Sequence, residues 1–161
     1  MARRIAGVFT GALMTVAWLA GAAAGPNPDA RKIDTCLKAA MEQGASGVAC
    51  IGIVADPCIK AASTTNSYIK DSVACAAREL AIWNARLHRA VQSASKGGGK
   101  DVATAVAASQ KSFTDSIAKL CPQFENLDPG MSLGRGAYCH LHETAMRVIV
   151  LEQLADAVNL H

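Results

Sequence analysis

The stretch that decides the fold is residues 64–99, which read TTNSYIKDSVACAARELAIWNARLHRAVQSASKGGG. Side chains on one face alternate spacings of four and three, which is the repeat of an amphipathic α-helix. They are Ile69, Val73, Ala76, Leu80, Trp83, Leu87 and Ala90. The pattern predicts a long helix from Thr64 or Thr65 to about Ser95, and its apolar seam requires a partner helix. The three glycines at 97–99 then predict a turn.

Start and stop signals outline the other helices. Asn27 followed by Pro28 is the usual cap and first position of a helix. Pro122 ends the helix before it, because proline disfavours helical backbone in the preceding residue. Helices are therefore predicted over residues 28–43, about 101–121 and about 137–159, with a short helical turn after Asp56-Pro57 and an irregular loop over residues 122–136.

No strand pattern of useful length occurs, so the sequence predicts an all-α fold. We expect a small antiparallel helical bundle of about three long helices plus a short N-terminal helical section. Only three Phe, two Trp and two Tyr are present, so the core should consist of small and aliphatic side chains. A chain of this size buries limited apolar area with such residues, and covalent support is expected.

The N-terminus has the three parts of a secretory signal. Arg3 and Arg4 supply positive charge, residues 5–20 are mainly apolar, and residues 22–24 are small enough for cleavage. The apolar run falls short of the roughly 20 strongly apolar residues of a membrane span. We therefore expect a signal peptide over residues 1–24, an N-terminal helical section over 25–63 and a helical domain over 64–161. Once the signal is removed, the periplasmic or secreted protein should have no membrane span.

The charge balance argues against nucleic acid as a partner. The chain has 16 Lys and Arg against 13 Asp and Glu. Removal of Arg3 and Arg4 with the signal leaves 14 basic against 13 acidic residues, a net charge of +1. Nucleic-acid-binding domains carry a strongly basic patch or stripe, which this balance does not indicate.

Six cysteines provide the expected covalent support. An even number in an exported chain predicts three disulfides, and no C-x-x-C pair suggests zinc. Cys121 and Cys139 end one predicted helix and begin the next, so they should bond to each other. Cys36, Cys50, Cys58 and Cys75 can pair in three ways. Closure of the shortest local loop favours Cys50 with Cys58, which leaves Cys36 with Cys75.

The remaining polar residues indicate no cofactor, metal or catalytic centre. His140 and His142 lie two positions apart, so a helix would direct them to different sides. No G-x-S-x-G elbow marks a nucleophile. Glu79, Glu143 and Glu152 are candidates for a glycosidase carboxylate pair, but a carboxylate on a helix surface needs no catalytic explanation. We therefore expect a protein that is not an enzyme.

Three groups of residues between 75 and 151 follow an ordered pattern. They are Cys75, Glu79, Trp83-Asn84 and Leu87-His88; then Ser109-Gln110, Phe113 and Cys121; then Tyr138-Cys139, Thr144 and Arg147. This pattern resembles the LprI-type lysozyme inhibitor domain of bacterial exported proteins. It departs from that family at Asn84 and His88, where Asp and Asn are usual, and at Ile117-Ala118, where an Arg-Asp pair is common. These departures leave Glu79 as the candidate partner of Arg147.

The resemblance implies inhibition of a lysozyme by binding, without turnover. Lysozymes are generally basic, so an inhibitor should present acidic groups to them. The loop between Cys121 and Cys139 contains Glu125 and Asp128, which we predict to be partner-binding residues. A loop pinned by a disulfide loses less conformational entropy on binding. The alternative is an envelope structural or interaction module without inhibitory activity.

Overall fold

The computed structural model describes residues 27–126 and 134–159. The predicted signal peptide and Asp128 lie outside these ranges. The protein is an all-α bundle stapled by three disulfides, as predicted, and neither described range contains a strand. The elements are α1 (Pro28–Glu42), a 3-10 turn (Val48–Cys50), α2 (Ala55–Ala62), α3 (Tyr68–Gly97), α4 (Gly99–Leu120), α5 (Gln123–Asn126) and α6 (Arg135–Asn159).

Helices α3 and α6 form the centre of the fold and run in the same direction. Gly97, at the end of α3, lies against Asn159 at the end of α6, while Gly134, just before α6, lies against Val73 near the start of α3. Helix α4 returns in the opposite direction after the single linking residue Gly98. Consecutive long helices are therefore antiparallel, and α1 and α2 pack against α3.

The core consists of small and aliphatic side chains around one tryptophan. Trp83 is completely buried, and it is the only aromatic residue among the buried side chains of residues 27–126 and 134–159. The main cluster draws Ile33 from α1 and Leu141 from α6 onto the Trp83 face of α3. A smaller cluster follows toward the ends of α3 and α6, with Ala90, Ala94, Val106, Leu151 and Ala155. The N-terminal section and the long helices thus share one main core.

The predicted seam of α3 is correct in its middle and wrong at its start. Trp83 and Ala90 are buried, whereas Ile69 and Val73 are 51% and 39% exposed. The reason is the length of the partner helix. Because Gly134, immediately before α6, lies opposite Val73, the first turn of α3 extends past the beginning of α6.

Two element boundaries also differ from the prediction. Helix α3 begins at Tyr68 and not at Thr64 or Thr65. Thr65 belongs to a turn, in which its backbone amide donates to the carbonyl of Ala62 at 2.9 Å and its hydroxyl donates to the carboxylate of Asp71 at 2.8 Å. The segment predicted to be an irregular loop contains the one-turn helix α5, whose amides at Phe124 and Glu125 bond back to the turn at 121–122.

The disulfide between Cys121 and Cys139 is present as predicted, but the other predicted pairs are wrong. Cys36 bonds to Cys50, and Cys58 bonds to Cys75. The chain folds back directly after α1, which brings the buried Cys50 of the 3-10 turn to Cys36. Cys58 lies on α2, which packs against α3 and therefore against Cys75. The shortest separation in sequence did not predict the disulfide pairs, because the chain reverses its direction in the turn after α1.

Asp29 fixes the beginning of α1 to α3. Its side chain is only 4% exposed, and it accepts hydrogen bonds from Arg78 Nε at 2.6 Å and from Lys32 Nζ at 3.2 Å. Burial by itself would raise the pKa of Asp29, but the hydrogen bonds and charges of Arg78 and Lys32 outweigh it and lower the pKa below 3.8. The folded protein therefore favours the ionised carboxylate.

We expect Asp29→Asn to lower the free energy of unfolding by about 1 kcal/mol at neutral pH, because Arg78 is largely exposed and the pair is screened. A lowered folded-state pKa means that this contribution is present above pH 3.8 and is lost as the pH falls through the folded-state value. Urea unfolding of wild type and variant should therefore converge in acid. A difference that persists unchanged at pH about 2 would contradict the assignment. Asp115→Asn, on the exposed face of α4, is the control.

Candidate functional site

Glu79 is a completely buried carboxylate whose four partners are all hydrogen-bond donors. Its Oε1 accepts from the backbone amide of Gly52 at 2.8 Å and from Trp83 Nε1 at 2.9 Å. Its Oε2 accepts from the amides of Val54 at 2.8 Å and Ala55 at 2.7 Å. Glu79 and Trp83 are one turn apart on α3, so the same helix face presents the carboxylate and one of its donors. The expectation that Glu79 is a surface carboxylate is wrong.

The arrangement gives Glu79 a structural role. Helix α2 begins at Ala55, and the preceding Val54 provides no side-chain cap. The carboxylate of Glu79, on α3, acts as the missing cap and accepts the amide hydrogens at the start of α2. Its negative charge also lies at the positive end of the α2 dipole. Because the approximately four lone-pair positions of a carboxylate are all occupied, Glu79 has no free position to take a substrate proton. It holds α2 on α3.

Arg147 joins α6 to α4 and does not contact Glu79, so the predicted Arg147–Glu79 pair is wrong. Its Nε donates to Gln110 Oε1 at 3.2 Å and its guanidinium donates to the hydroxyl of Ser109 at 2.6 Å. The guanidinium also lies 5.8 Å from the centre of the Phe113 ring. Partial burial lowers the pKa of Arg147. Three residues of the second family-like group thus meet one residue of the third.

The other two family-like positions have different surroundings. Asn84 is exposed and lines a groove between α3 and α4 with Gln110 and His88. Thr144 is only 3% exposed and faces the core. The six positions therefore fall into a buried pair, Glu79 with Trp83, a buried Thr144, the α4–α6 contact of Gln110 with Arg147, and the exposed Asn84.

A second charged group, which the sequence did not indicate, is centred on Arg86. Its guanidinium bonds to Asp34 of α1 and, at 2.9 Å, to Glu152 of α6, and it lies 5.9 Å from the centre of the Trp83 ring. The side chain is 15% exposed, and its Nε is buried without a hydrogen-bond partner in the described residues. Arg86 therefore connects three helices above the central tryptophan.

Beside Arg86 lies a small pocket of about 80 Å³ between the end of α1 and α6. Its floor is apolar, with Leu37 and Ile149, and its rim carries Glu152 and Asp156. Met41, 66% exposed, stands at the same rim. We call the surface formed by Asp34, Met41, Glu152 and Asp156 the acidic face. Its three carboxylates carry three negative charges and Arg86 carries one positive charge, which leaves an excess of two negative charges.

The corner pinned by Cys121–Cys139 contains a different, more apolar groove of about 450 Å³. Leu120 is 50% exposed there and Phe124 is 37% exposed. Glu125, predicted to bind a partner, turns toward the protein: its Oε1 accepts from the amide of Gly136 at 2.7 Å, in the first turn of α6. Asp128, the other predicted residue, lies outside the described residues. The structure therefore gives Glu125 a capping contact.

His140 and His142 are half-buried on α6, and the Nδ1 of His142 lies 3.4 Å from Glu143. Glu143 lines the corner groove, whereas Glu152 bonds to Arg86, so the three carboxylates considered for catalysis lie in three different surroundings. Within residues 27–126 and 134–159, no three His, Cys, Asp or Glu side chains come together as a metal site.

No family model matches the chain, and comparisons with curated proteins and with solved structures also found no match. None of the described helices is long and apolar enough to cross a membrane. The fold and the site geometry define a disulfide-stapled helical module. Among its concave features, the acidic pocket beside Arg86 and the apolar corner groove are candidates for binding a partner.

Proposed function

We propose that this is an exported, periplasmic or secreted protein that inhibits a lysozyme by binding it, without turnover. The sequence resemblance to LprI-type inhibitors and the signal-like N-terminus suggest this activity and location. The three disulfides support an oxidising compartment, because such bonds persist there. The observation that carries the choice of binding surface is the acidic face.

The acidic face suits a basic partner although the whole mature chain has a small positive charge. Asp34, Glu152 and Asp156 lie around one arginine, so this surface has a local excess of two negative charges. Complementary charge between two proteins steers their encounter and fixes their relative orientation. Lysozymes are generally basic, and a Lys or Arg side chain is the group that would meet these carboxylates.

Met41 provides an apolar anchor at the rim of the acidic pocket. It is the most exposed large hydrophobic residue in the described part of the chain. Its helix is held at Cys36 by the bond to Cys50, and the pocket behind it is closed by Gly47 and Ile149. Methionine is flexible and polarizable, so an exposed Met41 on a helix that is itself fixed can adapt to an apolar hollow of a partner.

A lysis assay with residues 25–161 tests the proposal. The purified protein should inhibit a lysozyme at micromolar concentration, and Asp156→Lys should weaken inhibition about tenfold or more, because it replaces an attractive charge with a repulsive one. Asp156 makes no salt bridge within the described residues, so its replacement should leave stability almost unchanged. Asp115→Lys, on exposed α4, is the control with the same change in net charge.

The same assay separates the two predicted surfaces. If Asp128→Lys weakens inhibition and Asp156→Lys does not, the loop between Cys121 and Cys139 is the binding surface and the acidic face is not. If the wild-type protein gives no inhibition at micromolar concentration, the inhibitor proposal fails. The second candidate is then an envelope interaction module, which the exposed Leu120 and Phe124 of the corner groove favour.

A further inference from the structure

A polar cavity of about 330 Å³ lies where α2, the start of α3 and the start of α6 meet, and it shares Arg135 and Tyr138 with the corner groove. Its walls come from Asp56 and Ile59 of α2, Tyr68 and Ser72 of α3, and Arg135 and Tyr138 of α6. This volume is at the small end of the range of about 300–1,000 Å³ for ligand sites in proteins. It shares no lining residue with the acidic pocket.

Ser72 is the residue that singles out this cavity. It is only 3% exposed, yet its hydroxyl oxygen has no hydrogen-bond partner in the described residues. A buried hydroxyl without a partner is costly, and native structures contain few of them. A serine inside a helix can bond back to the carbonyl four residues earlier, but this hydroxyl makes no such bond. The oxygen is shielded from solvent although the residue lines the cavity, so a ligand that displaces the side chains over it would supply the partner it lacks.

The opposite wall is already ordered. The hydroxyl of Tyr138 donates to Asp56 Oδ1 at 3.0 Å, a contact between two elements far apart in sequence. Burial, together with the hydrogen bond to Asp56, raises the pKa of Tyr138 to about 12, so it is a neutral donor at physiological pH. Each carboxylate oxygen can accept more than one hydrogen bond, which leaves Asp56 able to accept further donors.

We propose that this cavity binds a small neutral polyhydroxylated ligand, namely a single saccharide ring. Its deep end is neutral, with Ser72 and Ile59, so a charged group placed there would be desolvated without a counter-charge. A ligand hydroxyl can both donate to and accept from Ser72. At the rim, the opposite charges of Asp56 and Arg135 balance each other, so the cavity favours neither an anionic nor a cationic ligand. The half-buried rings of Tyr68 and Tyr138 provide apolar surfaces for the C–H face of a sugar.

An NMR titration of residues 25–161 with glucose tests this inference, with maltose as a larger probe and glycine as a zwitterionic control. The amide signals of Ser72, Gly134 and Tyr138 should shift and saturate with millimolar affinity, and glycine should leave them in place. Ser72→Ala should weaken binding about tenfold through loss of a buried hydrogen bond. Tyr138→Phe, which frees Asp56 from its internal donor, should alter the affinity without abolishing folding.

The melting temperature of Ser72→Ala provides an independent readout. Removal of an unpaired hydroxyl should keep or raise the melting temperature, whereas removal of a hydroxyl that is paired within the fold would lower it. The inference is overturned if neither sugar shifts these signals, if glycine shifts them equally, or if Ser72→Ala binds glucose as wild type does. None of these results depends on lysozyme inhibition, so the two proposals succeed or fail separately.

Discussion

Replacing Glu79 with Gln should lower the free energy of unfolding by about 3 kcal/mol or more, because buried charge-assisted hydrogen bonds are strong and an unpaired buried donor is costly. Both carboxylate oxygens of Glu79 accept two donors each. A glutamine keeps one acceptor oxygen and turns an NH2 group toward two N–H groups. Urea unfolding monitored by the fluorescence of Trp83 would measure the change.

Two further variants show whether this loss is specific. Glu143→Gln makes the same chemical change on a half-exposed part of α6 and should change the free energy of unfolding by less than about 0.5 kcal/mol. Trp83→Phe keeps an aromatic ring but removes one of the four donors, so Glu79→Gln should cost less in its background than in wild type. Equal costs of Glu79→Gln and Glu143→Gln would refute the capping role.

The position of Glu79 also explains why the effect should extend beyond one helix. Its carboxylate binds amides of residues 52–55, the segment that connects the 3-10 turn to α2. Gly52 adopts φ of +89°, a conformation that favours glycine, and this fits its place in a tight turn under the carboxylate. The segment lies between Cys50 and Cys58, so Glu79 positions two disulfides at once.

Much of the fold was predictable from local pattern. The glycine break between α3 and α4, the proline signal at the start of α1 and the extent of α6 follow from residue type and periodicity. The Cys121–Cys139 bond was predictable because both residues flank one connection. The pairing of the other four cysteines was not, since it depends on how the chain reverses after α1. A rule based on neighbouring residues does not predict that reversal.

The charged sites were less predictable, for a related reason. Glu79 and Arg147 were identified as positions of interest, but their partners come from distant segments: amides near α2 for Glu79, and α4 side chains for Arg147. Arg86 had no signal in its own neighbourhood, because Asp34 and Glu152 are 52 and 66 residues away. The role of this partly buried arginine is recognised only when the three helices are assembled.

Removing the Cys58–Cys75 bond by replacing both residues with Ala should cost about 3 kcal/mol, the chain-entropy value for a loop of this size. The sequence separation of 17 is almost that of Cys121–Cys139, which is 18, so loop entropy alone predicts equal losses for the two bonds. Urea unfolding of both double variants under oxidising conditions tests this expectation.

The two bonds should differ when they are combined with Glu79→Gln, because Cys58–Cys75 and the Glu79 carboxylate both hold α2 on α3, whereas Cys121–Cys139 joins α4 to α6. Contacts that restrain one element are coupled, and contacts in separate places add. The cost of Glu79→Gln should therefore change by about 1 kcal/mol or more without Cys58–Cys75 and stay the same without Cys121–Cys139. Identical costs in both backgrounds would mean that α2 is stabilised by its packing and not by these two restraints.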